Sequence, residues 1–169
     1  NQIHFPPKMF KNCNLIDFGA GTGENTIHFA NWGAKCTLID NNKNALDVAK
    51  KVFKKYSKNF KKHRFVCSSI FDYASKKKYD LVVSQGVIHH TNIKEIAFKR
   101  LVKFLKPNGY LLLSLSNTSG GFQNNLQRLI IYNFAKNWKD MIDIAEKLFN
   151  EDITRSQKLS HRTRNEIIF

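Results

Sequence analysis

Short apolar runs alternate with amphipathic stretches over most of this chain. The apolar runs predict five buried strands, over residues 15–18, 35–40, 64–68, 79–84 and 110–115. Apolar residues at helical spacing predict helices over residues 24–32, after residue 42 and over residues 94–106. Strands and helices that alternate in this way form a parallel sheet with helices on both faces. The pattern therefore predicts a doubly wound, three-layer α/β/α core.

Turn and capping residues set the expected limits of these elements. Gly33 follows the first predicted helix at the position of a C-terminal cap. Either Asn41 or Asn42 can cap the start of the second helix. The segment PNG at residues 107–109 is expected to end the third helix, so that the fifth strand starts at Tyr110.

The chain changes character after Ser116, where a polar loop that contains Gly120 and Gly121 precedes two amphipathic stretches. We therefore expect an α/β core over residues 1–118 and a helical segment over residues 119–169, cut short at its C-terminal end. The apolar stripes of its helices consist of Leu126, Leu129, Ile130 and Phe134, and of Met141, Ile144, Ala145 and Leu148.

No strand is predicted after residue 115, so the sheet is expected to be incomplete. The chain has no initiator Met and ends in an apolar stretch at Phe169, which favours a fragment of a longer protein. We expect the fifth strand to have an exposed edge or to be covered by a partner chain, and a homo-oligomer through this edge stays an open alternative.

The net charge of +15 over 169 residues allows a nucleic-acid partner. The basic residues are mostly lysines spread along the chain, with dense runs at predicted helix ends and loops, and this favours a solvated surface over nucleic-acid binding. No apolar run approaches the roughly 18 residues that span a bilayer. The three cysteines form no CxxC pair, so we expect neither a metal site nor a disulfide framework, and a cytoplasmic location.

Small and polar residues follow four of the predicted strands, and in an open α/β sheet ligands bind beyond the carboxyl ends of strands. The first strand ends in a GxGxG turn, whereas dinucleotide-binding turns have the spacing GxGxxG. Glu24 occupies the last position of that spacing, where an acid repels a pyrophosphate but tolerates the cationic amino-acid end of S-adenosylmethionine (SAM). Asp40, at the end of the second strand, lies where an acid can accept hydrogen bonds from both ribose hydroxyls.

Three motifs resemble those of the class I SAM-dependent methyltransferases. They are LIDFGAGTG at residues 15–23, YDLVVSQGVIHH at residues 79–90 and LKPNGYLLL at residues 105–113. The last two are similar to the branch that includes the ubiquinone and menaquinone C-methyltransferases and many small-molecule enzymes. The resemblance covers residues 12–116 and implies a Rossmann-like fold, SAM as cofactor and S-adenosylhomocysteine (SAH) as product.

The same resemblance implies a set of cofactor-binding residues. The glycines form the floor under the methionine and ribose, Asp17 supports this turn and the methionine amino group, and Asp40 binds the ribose. Ser69 and Ile70 flank the adenine, and Gln85 lies beside the methionine. The full predicted set is Asp17, Gly19, Ala20, Gly21, Gly23, Asp40, Asn41, Ser69, Ile70 and Gln85.

Other interpretations of single residues stay open. Asp40 can instead cap the following helix, and Asp72 can be an ordinary turn residue. Many relatives have Asp where Ser69 stands, so either Ser69 or Asp72 is expected to accept from the adenine amino group. His89 and His90 are weak candidates for a catalytic base, with a structural pair at the start of a helix as the favoured alternative.

These observations predict a methyltransferase that acts on oxygen or carbon of a small molecule. The alternatives are an RNA or protein methyltransferase, favoured only by the charge, and a non-catalytic SAM-binding module. The Asn/Asp-Pro-Pro-Tyr/Phe tetrapeptide of enzymes that methylate amino groups of bases or glutamine is missing after the fourth strand. We expect residues 119–169 to form a lid over the acceptor side, with a cover for the sheet edge as the alternative.

The charge generates a testable prediction. If the lysines only solvate the surface, fluorescence anisotropy with labelled single-stranded and hairpin RNAs should show weak complexes that do not discriminate between the sequences. These complexes should dissociate between about 50 and 200 mM salt, because counterion release dominates nonspecific binding. A tight complex with one defined RNA that survives the higher salt would instead favour the RNA methyltransferase.

Overall fold

The computed structural model describes residues 5–115 and 122–160. The chain divides into two compact units, Asn1–Leu115 and Ser116–Phe169. The predicted loop glycines Gly120 and Gly121 and the apolar end at Phe169 lie outside the described residues. None of the described helices is long and apolar enough to cross a membrane.

The first unit contains a five-stranded parallel sheet in the order β3-β2-β1-β4-β5. Its strands are β1 (Asn14–Phe18), β2 (Lys35–Asp40), β3 (Arg64–Cys67), β4 (Tyr79–Gln85) and β5 (Leu105–Ser114). Three helices join them, α1 (Thr26–Asn31), α2 (Lys43–Tyr56) and α3 (Lys94–Lys103). The strand order reverses direction between β1 and β4, which are neighbours in the sheet. A doubly wound sheet of this kind was predicted from the alternation of strands and helices, and that prediction is confirmed.

The two faces of the sheet bury different residues because side chains alternate along each strand. Leu15, Leu38 and Leu81 pack with α1 and α2 on one face. Ile16 and Val82 pack with α3 on the other. Asp17 projects to the same face as Leu15, where most of the buried side chains are apolar, and only 5% of its surface is exposed.

Local signals fix the helix ends near the glycine turn. The Asn42 side chain accepts from the backbone N–H groups of Asn44 and Ala45, so Asn42, and not Asn41, is the N-cap of α2. Gly33 follows α1 with a φ of 111°, as expected for a C-terminal cap. Helix α1 is shorter than the predicted residues 24–32.

The passage from α3 to β5 differs from the prediction. Helix α3 ends at Lys103, and β5 starts at Leu105, which pairs with Tyr79. Residues 106–109 then form a bulge, and regular pairing resumes where Tyr110 lies opposite Leu81. The PNG segment at residues 107–109 therefore interrupts a strand and does not end a helix.

Close backbone packing explains why the bulge forms. Asn108 has a φ of 61°, and a Cβ on Gly109 would lie only 3.0–3.2 Å from three backbone carbonyl oxygens. Lys106 Nζ lies 2.8 Å from Asp80 Oδ1, which ties the bulge to β4. In the described part of the sheet, β5 is an edge strand, and Tyr110 and Leu115 are more than half exposed.

The second unit contains α4 (Phe122–Phe134) and α5 (Trp138–Ser160), which confirms the predicted helical character. Its buried centre is formed by Ile131, Ala145 and Ile153, with Met141, Ile144 and Phe149 packed against them. The residues of the predicted stripe on α4 do share one face of the helix, but Leu126, Leu129 and Phe134 are exposed, as is Leu148 on α5. Ile131 faces α5, about 100° around the helix from Ile130.

Helix α3 provides a test of the packing against the sheet. Leu101→Ala should lower the free energy of unfolding by about 2–5 kcal/mol, because Leu101 is fully buried and truncation leaves a cavity. Urea unfolding, followed by Trp32 fluorescence in a Trp138→Phe background, measures this loss. Val102→Ala is the matched control, since Val102 is 43% exposed on the same helix and should change stability by less than about 1 kcal/mol. Equal losses for the two variants would contradict the described packing.

Candidate functional site

A cleft of about 500 Å³ opens at the carboxyl ends of β1, β2, β3 and β4. It lies where the strand order changes direction, which is the usual position of a ligand site in an open α/β sheet. The residues that line it are Phe18, Gly19, Ile39, Asp40, Asn41, Ser68, Ser69, Ile70, Phe71, Gly86, Val87, His90, Thr91 and Asn92.

The turn after β1 requires glycine at two positions. Gly19 has a φ of 77°, and a Cβ there would overlap the side chain of Val87. Gly23 has a φ of 75°, and a Cβ there would lie 3.1 Å from Phe53 and 3.2 Å from the Cβ of Ala49. These glycines let the turn pack tightly between the β4 loop on one side and α2 on the other.

Asp40 joins this turn to the start of α2. Its Oδ2 accepts the backbone N–H of Gly21 at 2.8 Å, and its Oδ1 accepts the backbone N–H of Asn42 at 2.8 Å. The capping of α2 is performed by the Asn42 side chain, so Asp40 is more than a helix cap. Each carboxylate oxygen keeps a second acceptor position. The carboxylate therefore has capacity for two ligand hydroxyls while it holds the turn.

Asp17 lies beneath the turn and does not line the cleft. Its carboxylate accepts a hydrogen bond from the hydroxyl of Thr26, which is itself fully buried. Burial raises the pKa of Asp17 from its ordinary value of 3.8 to about 6, the Thr26 hydrogen bond lowers it, and the charge of Asp40 raises it. Two carboxylates therefore place negative charge at and below the glycine turn.

The loop after β3 brings Ser69 and Ile70 to the opposite wall of the cleft. Ser69 Oγ donates to Asp72 Oδ2 at 2.5 Å and accepts the backbone N–H groups of Phe71 and Asp72 at 3.2 and 3.1 Å. These three bonds occupy the hydroxyl, so Ser69 has no acceptor position left for an adenine amino group. Asp72 keeps free acceptor positions on its carboxylate, and it is exposed.

The structure separates the residues predicted after β4. Gln85 ends the strand without lining the cleft, whereas Gly86, with a φ of 71°, lines it. His90 lines the cleft and His89 does not, although their ring centroids lie 4.0 Å apart. Partial burial, with the neighbouring His90 and Lys94, lowers the pKa of His89. Of the two weak catalytic candidates, only His90 is positioned to face a ligand.

The structure brings part of the predicted set directly to the cleft. Gly19, Asp40, Asn41, Ser69 and Ile70 line it, whereas Ala20, Gly21 and Gly23 shape the turn beside it. Within the described residues, no group of three or more His, Cys, Asp or Glu side chains is arranged to hold a metal ion.

The predicted set did not name every lining residue. Ser68, Phe71, Gly86 and Val87 lie within residues 68–72 and 85–90, the stretches that the carboxyl-end rule indicates after the third and fourth strands. Sequence reasoning missed the other four. Phe18 and Ile39 lie within β1 and β2 and resemble ordinary core positions, and Thr91 and Asn92 carry no motif of their own.

Known proteins are similar to this chain in sequence and in fold. The ubiquinone biosynthesis O-methyltransferase of Pelagibacter ubique (strain HTCC1062) is 30% identical over 116 residues, which are 69% of this chain and 47% of that protein. The phosphoethanolamine N-methyltransferase 2 of Caenorhabditis elegans is 26% identical over 137 residues, which are 79% of this chain and 31% of that protein. The chain thus spans less than half the length of these curated relatives.

A solved structure, PKMT2 from Rickettsia typhi in complex with AdoHcy, matches with a TM-score of 0.70 and 21% identity over 90% of this chain and 32% of that chain. At this identity the match shows the fold, and it confirms the predicted Rossmann-like α/β class. The profile of a family described as a methyltransferase domain matches residues 9–164. The chain therefore belongs to the methyltransferase domain family, which confirms the SAM-dependent methyltransferase class predicted from its sequence.

Proposed function

We propose that this chain binds SAM in the cleft and transfers the methyl group to oxygen or carbon of a small molecule, leaving SAH. The observation that carries this proposal is the double role of Asp40, whose carboxylate holds the glycine turn and retains acceptor positions toward the cleft. An adjacent pair of ribose hydroxyls matches those two positions. A carboxylate there also accepts more strongly than a neutral side chain.

The charge around the turn fits SAM better than a dinucleotide. The Asp17 carboxylate lies beneath the turn, Asp40 lies at its edge, and Glu24 is exposed at its far end. This negative field disfavours a pyrophosphate and attracts a ligand with an ammonium and a sulfonium. We place the methionine end over the turn near Asp17 and Gln85, and the adenine between Ile70 and the Ser69–Asp72 turn. Asp72 is then the acceptor for the adenine amino group.

The bound cofactor supplies an electrophilic methyl on a sulfonium, so the residues of this chain mainly have to bind and orient. The glycine turn and Asp40 fix one reactant, and the apolar side chains of Phe18, Ile39 and Val87 exclude water from part of the cleft. Holding the acceptor in line at near-attack distance provides most of the rate enhancement in such a transfer. His90 is the group within the cleft that can take a proton from a hydroxyl acceptor.

The lining of the cleft favours a small acceptor over RNA. The described residues that line it include neither Lys nor Arg, despite the net charge of +15. An RNA path to the transferred methyl would require phosphate-binding cations close to it. The O-methyltransferase and N-methyltransferase relatives both bear names of small-molecule enzymes, so amines belong beside hydroxyl and carbon acceptors in any screen.

The predicted lid, homo-oligomer and cytoplasmic location stay proposals. The lid is supported by the two-helix character of the second unit, which follows β5 in the chain. A partner chain over β5 is supported by the exposure of Tyr110 in this edge strand and of Leu115 directly after it. The cytoplasm is favoured by three free cysteines, Cys13, Cys36 and Cys67. A protein acceptor and a non-catalytic SAM-binding role are the alternatives that an acceptor screen must address.

The assignment of Asp40 predicts a specific pattern of binding losses. Asp40→Ala should weaken SAH and methylthioadenosine by the same factor, about 10- to 100-fold, because both ligands contain the ribose and lose charge-assisted hydrogen bonds. Titration calorimetry measures both, and NAD should not bind. Asp47→Ala is the matched control, since Asp47 is an exposed acid on α2 that pairs with Lys43 and Lys50. Preference for NAD, or unchanged binding in Asp40→Ala, would refute the proposed cofactor site.

The buried position of Asp17 predicts a pH-dependent cost in stability. The folded pKa of about 6 exceeds the ordinary value of 3.8, so folding favours the protonated form. Its favourable contribution is complete below pH about 4 and is lost as pH rises through about 6. This loss is on the order of 2–3 kcal/mol. Relative to Asp17→Asn, the wild type should therefore lose this stability between pH about 4 and 7.

Urea unfolding at several pH values, followed by Trp32 fluorescence in a Trp138→Phe background, measures this difference. Glu95→Gln, at an exposed acid on α3, is the control for replacement of a carboxylate by an amide. Asp17→Asn should also weaken SAH while leaving methylthioadenosine nearly unchanged, because only SAH carries the amino group. A flat stability difference would contradict the buried carboxylate, and equal losses for both ligands would contradict its place under the methionine.

A further inference from the structure

The connection between β3 and β4, residues 68–78, contains no helix, unlike the connections after β1, β2 and β4. Its conformation therefore depends on contacts made by its side chains and backbone. Two buried residues anchor it to the core, since Ile70 and Tyr73 are each 8% exposed. Tyr73 packs edge-on against Phe18 at 5.8 Å and lies 5.4 Å from Phe104, measured between ring centroids.

Arg100 adds a polar clamp from the neighbouring helix α3. Its Nε donates to the backbone carbonyl of Ile70 at 2.7 Å, and its Nη2 donates to the backbone carbonyl of Tyr73 at 2.8 Å. Arg100 takes part in none of the ion pairs identified between described residues. The half-buried guanidinium is thus directed at the loop backbone, and no acidic side chain in the described part of the chain pairs with it.

We propose that Arg100 is a positioning residue that fixes the adenine-binding wall of the cleft. The guanidinium is rigid and planar, and its Nε and Nη2 donate here to different carbonyl groups, so it sets the spacing between them. Those carbonyls belong to Ile70, which lines the cleft, and to Tyr73, which ends the turn started by Ser69. This inference rests on the placement of the adenine proposed above.

Arg100 restrains the turn by hydrogen bonds from α3, and Ser69 restrains it by hydrogen bonds within the turn. Ser69 Oγ accepts the backbone N–H groups of Phe71 and Asp72 and donates to the Asp72 carboxylate. The backbone carbonyl of Ser69 accepts the N–H of Tyr73 at 3.1 Å. Without the clamp, only these internal bonds hold the turn, so they open more often and the turn shifts. The Asp72 carboxylate would then leave the position that reads an adenine amino group, and the ribose and methionine contacts would remain.

Adenine selectivity is therefore the decisive measurement. Titration calorimetry of the 169-residue chain compares SAH with S-inosylhomocysteine, in which a carbonyl replaces the adenine amino group. The wild type should prefer SAH by about tenfold or more, since a site built for an amino donor rejects the analogue that lacks it. Arg100→Met should weaken SAH by about the same factor, leave the inosyl analogue nearly unchanged and so abolish the preference.

Three further variants separate positioning from general stability. Arg100→Lys keeps the charge but not the two-donor geometry, and it should lose most of the preference. Lys99→Met, at an exposed neighbour on α3, should keep wild-type affinity and preference. Asp40→Ala should weaken both ligands equally and leave the preference intact. A purely structural role for Arg100 would likewise lower both affinities together.

A ligand-free measurement covers the case in which Arg100→Met folds poorly. In Arg100→Lys, hydrogen exchange of the Asp72 and Tyr73 amides should rise about tenfold or more, while the amides of α2 keep wild-type rates. Retained selectivity in Arg100→Lys, or unchanged exchange at these amides, would overturn the clamp. Failure of the wild type to bind SAH would overturn the cofactor site itself, and the adenine role of Arg100 with it.

Discussion

The cofactor side of this protein depends on the hydrogen bonds of one carboxylate. Asp40 accepts the backbone N–H of Gly21 from the turn after β1 and that of Asn42 from the start of α2. One anion thereby joins the turn after β1 to the end of β2 and to the adjoining start of α2. Since a carboxylate attracts N–H donors more strongly than a neutral acceptor, the turn is held before any ligand arrives. Preorganisation of this kind lowers the entropic cost of binding.

The opposite wall is held in a different way, because it has no helix. Residues 68–78 are fixed by the burial of Ile70 and Tyr73, by the hydroxyl of Ser69 and by the guanidinium of Arg100. The bonds made by Ser69 and Arg100 satisfy backbone groups that a helix would satisfy internally. The two walls therefore respond differently to substitution. The glycine turn depends on steric fit, and the β3–β4 loop depends on individual side-chain contacts that can be removed one at a time.

Features that depend on local sequence pattern could be predicted from the sequence. Strand β2 has its predicted bounds, Asn42 caps α2, and Gly33 follows α1 with a positive φ. These features follow from periodicity and from single-residue backbone preferences. Asp40 was also predicted to face a ligand because it ends a strand, and ligands bind beyond the carboxyl ends of parallel strands. It does line the cleft.

Features set by tertiary contacts could not be predicted in this way. The PNG segment has the composition of a helix stop, yet pairing of Leu105 with Tyr79 draws it into β5 as a bulge. The face of α4 that packs on α5 is set by Ile131, and the apolar residues on α4 are too widely spread to identify one face. Arg100 belongs to no recognisable sequence motif. Its hydrogen bonds form only because the fold packs α3 against the β3–β4 loop.

The burial of Asp17 costs stability, and the proposed function gives a reason for that cost. A carboxylate with 5% exposure has lost most of its hydration, and the single hydroxyl of Thr26 replaces only part of it. An apolar residue at this position in β1 would match its neighbours Leu15 and Leu38 and would stabilise the core. In the proposed function, the carboxylate would become favourable once the ammonium of SAM lies above it, because low local dielectric strengthens that attraction. The cost of a buried charge in the free protein is then the counterpart of the proposed affinity for a cationic ligand.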